Sequence, residues 1–127
     1  MKKISASSQD YLETILELSK FGPNVRCVDV AEKLNVSRAS VNRAVNLLKE
    51  QGHVLQERYS HLTLTEKGIS AAKVVKEKHM AVKEFLMDIL KVSEPVAESD
   101  ACRIEHIISE ETFVRLKKFL TSYPAAE

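Results

Sequence analysis

Cys102, Glu105 and His106 stand at i, i+3 and i+4 near the C-terminal end of the chain. On a helix this spacing turns a thiolate, a carboxylate and an imidazole in one direction, because residues three and four apart share a face. Ala101, Ile104 and Ile108 fall on the opposite, apolar side. Burying three such polar groups together is costly unless they are paired or bound to a metal. Their mixed softness suits a first-row divalent cation rather than magnesium. Asp10 and Glu13, at i and i+3 near the N-terminus, and His79 in mid-chain can complete the coordination or hold a second ion. Each residue also has a plainer reading. His79 falls in the stripe Val75-His79-Val82-Leu86, where a histidine is commonly a hydrogen-bonded core residue. Cys102 can serve as a small buried hydrophobe, and Glu105 and Asp10 as surface acids.

Helices must position these donors. Tyr11, Leu12, Ile15, Leu16 and Leu18 predict a first helix over about residues 7–20, ended by Gly22-Pro23. A short second helix is expected over 28–34, then a tight turn at Asn35-Val36. Ser37 is suited to cap a third helix, which carries Val41, Ala44, Val45, Leu47 and Leu48 inward and stops at Gly52. Residues 54–64 switch to strand-like patterning and predict a hairpin. Thr65 caps a long helix expected over 66–90, about 37 Å at 1.5 Å per residue, which is long enough to link two domains. Ser93-Glu94-Pro95 opens another helix running to about Ser109, and Ser109-Glu110-Glu111 opens a last one. The fold class is mainly α: a winged helix-turn-helix over residues 1–72, followed by a helical domain over 73–127 that carries most of the candidate ligands and for which the resemblance given below implies metal binding and dimerisation.

The third helix displays groups that read DNA. Ser37, Arg38, Ala39, Ser40, Asn42, Arg43 and Asn46 lie on or beside its outward side. Arginine pairs bidentately with guanine and asparagine with adenine in the major groove, and small residues at the helix start allow close approach. Arg58 and His61 on the hairpin are placed to touch the adjacent phosphate backbone. Alone, such a face is also an ordinary solvated helix surface. Its place after a short helix and tight turn, and before a hairpin, favours DNA.

Composition is compatible with this reading. The chain has 127 residues, 44% hydrophobic and 29% charged, with only 3 Gly and 3 Pro, which favours helices. The net charge of +1 excludes a strongly basic nucleic-acid binder overall. Between Ser37 and Thr65, however, Arg38, Arg43, Lys49 and Arg58 outnumber Glu50 and Glu57. No apolar run approaches the roughly 20 residues of a membrane span, and the Lys-containing N-terminus lacks the apolar core of a secretory signal. A cytoplasmic protein with reduced Cys27 and Cys102 is expected.

The chain resembles the metal-dependent repressors typified by the diphtheria toxin repressor and the manganese transport regulator. The resemblance runs from Gln9-Asp10-Tyr11-Leu12-Glu13-Thr14-Ile15 to Leu116-Lys117-Lys118-Phe119-Leu120. Its most specific stretch is Asp100-Ala101-Cys102-Arg103-Ile104-Glu105-His106-Ile107-Ile108-Ser109, supported by Lys78-His79 and by Leu62-Thr63-Leu64-Thr65-Glu66-Lys67-Gly68. It implies a metal-responsive repressor of metal-uptake genes and no enzyme. It also implies a homodimer on a palindromic double-stranded operator, with one or two ions per subunit bridging the two domains.

Asp10, Glu13, His79, Glu105 and His106 match five ligand positions of the manganese branch, with Cys102 in place of a glutamate. Cysteine at that position is the iron-branch choice, but that branch has methionine where Asp10 stands here. The iron branch has a second site at the positions of Lys83 and Glu98, and a protonated lysine cannot ligate. Mn2+ or Fe2+ is therefore expected, with Zn2+ a further candidate. The resemblance is to the shorter, two-domain form, so the β-barrel module of many iron-branch members is not expected. The alternative is a winged-helix regulator independent of metal, with His79 and Cys102 as core. A metallohydrolase using Glu105 as base and a metal-buffering module are more distant readings.

Overall fold

A computed structural model describes residues 6–57 and 61–123. The chain divides into two compact units, Met1–Lys73 and Val74–Glu127.

The first unit begins with α1 (Ala6–Ser19), followed by β1 (Val25–Arg26), α2 (Cys27–Leu34) and α3 (Arg38–Glu50). Strands β2 (Val54–Gln56) and β3 (His61–Leu64) follow, and α4 (Glu66–Glu84) starts within this unit and ends in the second. The apolar stripe of α1 buries Tyr11, Leu12 and Ile15 against Val30 of α2, Val41, Val45 and Leu48 of α3, and Leu62 of β3. Asn35 ends α2 in the left-handed conformation at φ 54°, which an asparagine tolerates better than most side chains. Two residues later the Ser37 hydroxyl accepts the Ser40 N–H at 3.1 Å, the cap expected of it. These two devices make the tight turn between α2 and α3.

The expected hairpin is present as β2 and β3, paired antiparallel with Val54 opposite Leu64. Its turn, including Arg58, lies outside the described residues. The sheet has a third strand that the sequence did not indicate. β1 pairs with β3, with Val25 opposite Leu62, so β3 is central and the order is β1-β3-β2. A two-residue strand has no alternation to detect.

The end of α3 is tied closely to the start of α4. Thr65 donates its N–H to the His53 carbonyl at 3.0 Å and its hydroxyl to the Gly52 carbonyl at 2.7 Å. The same hydroxyl accepts the Gly68 N–H at 3.0 Å, capping α4 as expected. Lys67 adds a bond to the Gln51 carbonyl at 2.8 Å. A Cβ at Gly68 would overlap the His53 carbonyl oxygen, so only glycine permits this approach. The His53 side chain is buried, and its Nδ1 has no hydrogen-bond partner among the described residues.

In the second unit α4 gives way to a π-helical turn, Phe85–Ile89, and the chain reverses at Lys91 with φ 60°. The long helix expected over 66–90 is thus α-helical only to Glu84. Helices α5 (Glu94–Ile104) and α6 (Glu110–Ser122) complete the unit, α6 capped by Ser109 accepting the Thr112 N–H at 3.2 Å. Ala97 and Ala101 of α5 are fully buried, and Val75, Ala81, Val82 and Phe113 are nearly so. The expectation that one helix runs on to Ser109 is corrected: it stops at Ile104, and Glu105 is its C-terminal cap residue. His106 and Ile107 close tight turns instead, through N–H bonds to the Arg103 and Ile104 carbonyls at 3.3 and 3.0 Å. Cys102 is therefore on the helix, but Glu105 and His106 are at and beyond its end.

Candidate metal centre

Two sets of candidate ligands lie in different units. In the first, Asp10 and Glu13 sit half-buried on α1, one turn apart. Glu17, a turn further on, is engaged with Lys33 at 3.1 Å.

In the second unit the donors converge on His79. This histidine stands on α4, its side chain only 14% exposed, with a carboxylate facing each ring nitrogen. Glu105, almost completely buried, places Oε2 2.9 Å from Nδ1. Glu98, on α5, places Oε2 3.0 Å from Nε2. The exposed Cys102 thiol lies 3.4 Å from Glu98 Oε2 and 3.8 Å from His79 Nδ1. His106 contacts Glu105 Oε1 through Nε2 at 3.4 Å. Helix geometry explains the grouping: Glu98 and Cys102 are one turn apart on α5, and the helix end turns Glu105 inward beneath the same histidine. Both ring nitrogens of His79 thus face carboxylates.

Glu98 was not among the six ligands read from the sequence; the resemblance gave it only as a second-site position beside Lys83, and its place four residues before Cys102 was a further signal. Its carboxylate is divided: Oε2 faces His79 and Cys102, and Oε1 accepts the Lys83 ammonium at 2.8 Å. Lys83 also meets Glu94 at 3.3 Å. The Lys83 hydrogen bond holds the Glu98 carboxyl down at about 2, against burial and with smaller help from His79 and Cys102. The two carboxylates raise Lys83 in turn, Glu98 most. At neutral pH Glu98 is thus an anion ready to ligate, and Lys83 is a held ammonium that cannot.

Of the candidate DNA-contacting residues, those on α3 are accessible, and Arg58 lies outside the described residues. Ser37, Arg38, Ala39, Asn42, Arg43 and Asn46 are exposed on α3 or its cap, and Ser40 is half-buried. Ser37 Oγ bonds Ser40 Oγ at 2.9 Å, and Arg43 reaches Ser40 at 3.4 Å, so this face is partly ordered before any ligand arrives. His61 lies half-buried on β3, paired in register with Arg26.

Residues 3–62 match the family model described as the iron dependent repressor N-terminal DNA binding domain. Residues 65–125 match that of the iron dependent repressor metal binding and dimerisation domain. The chain belongs to the iron-dependent repressor family. It is 36% identical over 121 residues to an uncharacterized HTH-type transcriptional regulator of Methanocaldococcus jannaschii, covering 94% of this chain and 97% of that one. It is 33% identical to the transcriptional regulator MntR of Escherichia coli, over 91% of this chain and 74% of the other. The iron-dependent repressor IdeR of Mycobacterium tuberculosis is 31% identical over 96% of this chain, but the match spans only 53% of that protein. Among solved structures, the manganese regulator SloR superposes with a TM-score of 0.81 at 32% identity, covering 91% of this chain and 54% of its own. Among the described residues no helix is long and apolar enough to cross a membrane.

Proposed function

We propose that this iron-dependent repressor family member is a metal-responsive transcriptional repressor that binds operator DNA as a homodimer. The observation that carries the reading is the convergence of His79, Cys102 and Glu105 in one unit of a chain whose other unit is a winged helix-turn-helix. The six proposed ligands are Asp10, Glu13, His79, Cys102, Glu105 and His106. Fe2+ or Mn2+ is the proposed ion, Zn2+ the competitor, because thiolate and imidazole favour softer ions and the carboxylates favour manganese.

The donor chemistry fits such an ion. A divalent cation bound here would supply positive charge to a buried carboxylate and a thiolate, and would fix the side chains that hold it. Glu105 Oε2 already lies 2.9 Å from His79 Nδ1. Asp10 and Glu13 belong to the unit that carries α3, so an ion drawing on both donor sets would bias the placement of α3 rather than create it. A coupling of about 1–3 kcal/mol corresponds to roughly 5- to 150-fold in operator affinity. On the DNA, Arg38, Asn42, Arg43 and Asn46 would read base edges, with Ser37, Ala39, Ser40, Arg58 and His61 near the backbone. Two copies would present two recognition helices to a two-fold operator. The exposed apolar residues Leu90, Ile107, Val114 and Phe119 of the second unit are the surface available for that pairing.

The test is a mobility-shift titration of chelator-stripped protein on its own promoter DNA, anaerobically, with and without Mn2+ or Fe2+. Metal should tighten binding at least 5-fold, and His106→Ala should remove that gain while the fold is retained. Equal binding with and without metal would favour a metal-independent regulator.

A further inference from the structure

We propose that Ser40 is a positioning residue that holds the Arg43 guanidinium for one guanine of each operator half-site, and that the Ser40 hydroxyl does not itself read bases. The inference rests on the proposed operator binding and deepens it by naming the base that this flank of α3 selects.

Three side chains at the start of α3 form a directed chain of hydrogen bonds. Ser37 Oγ accepts the Ser40 N–H at 3.1 Å and donates its own proton to Ser40 Oγ at 2.9 Å. Arg43 Nη2 donates to the same Ser40 oxygen at 3.4 Å. Ser40 and Arg43 are three residues apart and so share a helix face. A hydroxyl oxygen has two lone pairs, and these two incoming donors fill both. Nothing is left on Ser40 to accept an amino group of adenine or cytosine. This flank of the helix presents donors alone.

A donor-only flank suits guanine, whose major-groove edge carries two acceptors, O6 and N7. Arg43 gives one N–H to Ser40 and keeps four, enough for the parallel pair that guanine receives. Its tie is to a neutral oxygen. Arg26 and Arg115 are held instead by carboxylates, Asp29 at 3.7 Å and Glu111 at 3.4 Å, which offset their charge. Arg43 is therefore oriented with its positive charge uncompensated. Ala39, exposed and one turn before Arg43, adds no bulk that would keep this face from the groove floor. A side chain restrained before docking gives up less conformational freedom when it docks. Arg38, Asn42 and Asn46 have no comparable tie among the described residues, so Arg43 is the base reader that arrives in place.

The test starts with selection of duplexes from a random-sequence library by the metal-loaded full chain. The enriched duplex is then titrated with single guanines replaced by 7-deazaguanine, which lacks N7. Wild type should bind about 5-fold or more weaker when one particular guanine per half-site is replaced, the lower value of a bidentate pair. Arg43→Ala should be insensitive to that replacement. Ser40→Ala should shrink the penalty about 2-fold or more, and Ser40→Thr, which keeps the hydroxyl, should restore it. Loss of a mere phosphate contact would weaken every duplex alike and leave the penalty intact. Circular dichroism establishes that the variants fold. An enriched motif without such a guanine, a full penalty in Arg43→Ala or an undiminished one in Ser40→Ala would overturn the positioning role while the repressor function stands. Failure of wild type to enrich any motif would overturn both.

Discussion

The two units differ in what fills their interiors. The first is closed by large aliphatic side chains, with Leu12, Ile15, Val30, Val41, Leu48 and Leu62 at or near zero exposure. The second buries smaller residues on α5, Ala97 and Ala101, and places a carboxylate, a histidine and a thiol around one point. Hydrophobic burial has no specific response to a metal ion, whereas a cluster of carboxylate, imidazole and thiol offers donors to a cation. One unit is built to stay as it is, and the other to respond.

The largest effect that would test this contrast is Leu48→Ala. It deletes a fully buried side chain of α3 and should cost about 2–5 kcal/mol, read as a lower urea midpoint for the first unit with metal affinity of the second unchanged. Next is metal itself. At one hundred times its dissociation constant an ion bound only by the native state adds about 2.7 kcal/mol. Amide exchange should slow most in α5 and around His79, and less at Val41 and Leu48. Slowing of equal size throughout would erase the distinction between the units.

Ser37→Ala should cost about 1 kcal/mol by freeing the Ser40 N–H, and should fray the start of α3, read by amide exchange at Ser40. Smallest is a pH effect confined to the first unit. Burial, aided by Lys67, holds the His53 imidazole below its usual 6.5. The unfolded chain therefore takes up this proton first, so the stability contributed is complete above about pH 6.5 and is lost as pH falls further. Thermal melts from pH 7.5 to 5 should decline less steeply for His53→Gln.

Most of the architecture was legible in the sequence because periodicity and punctuation agreed. The stripe from Tyr11 to Ile15, the Asn35 turn, the Ser37 and Ser109 caps and the Thr65 boundary all announce themselves in residue type. What escaped had no such mark. β1 is two residues long and exists only because β3 offers it an edge. The stretch from Arg103 to Ile108 holds no glycine or proline, so the end of α5 at Ile104 had no local sign. The π-helical turn at Phe85–Ile89 was equally silent. In the metal centre, residue types drew attention to His79, Cys102, Glu105 and His106. Glu98 entered only as a second-site position of the iron branch, set aside because Lys83 shares that site, and its contact with His79 is visible only once α4 and α5 are packed.

The bonds from Thr65 and Lys67 to three successive carbonyls after α3, with Gly68 pressed on the last of them, leave no slack at that corner. Any torque on the opening turns of α4 must swing the recognition helix with it, as a tiller turns a rudder. A side chain at position 68 would force that joint apart, leaving each helix intact but the steering lost.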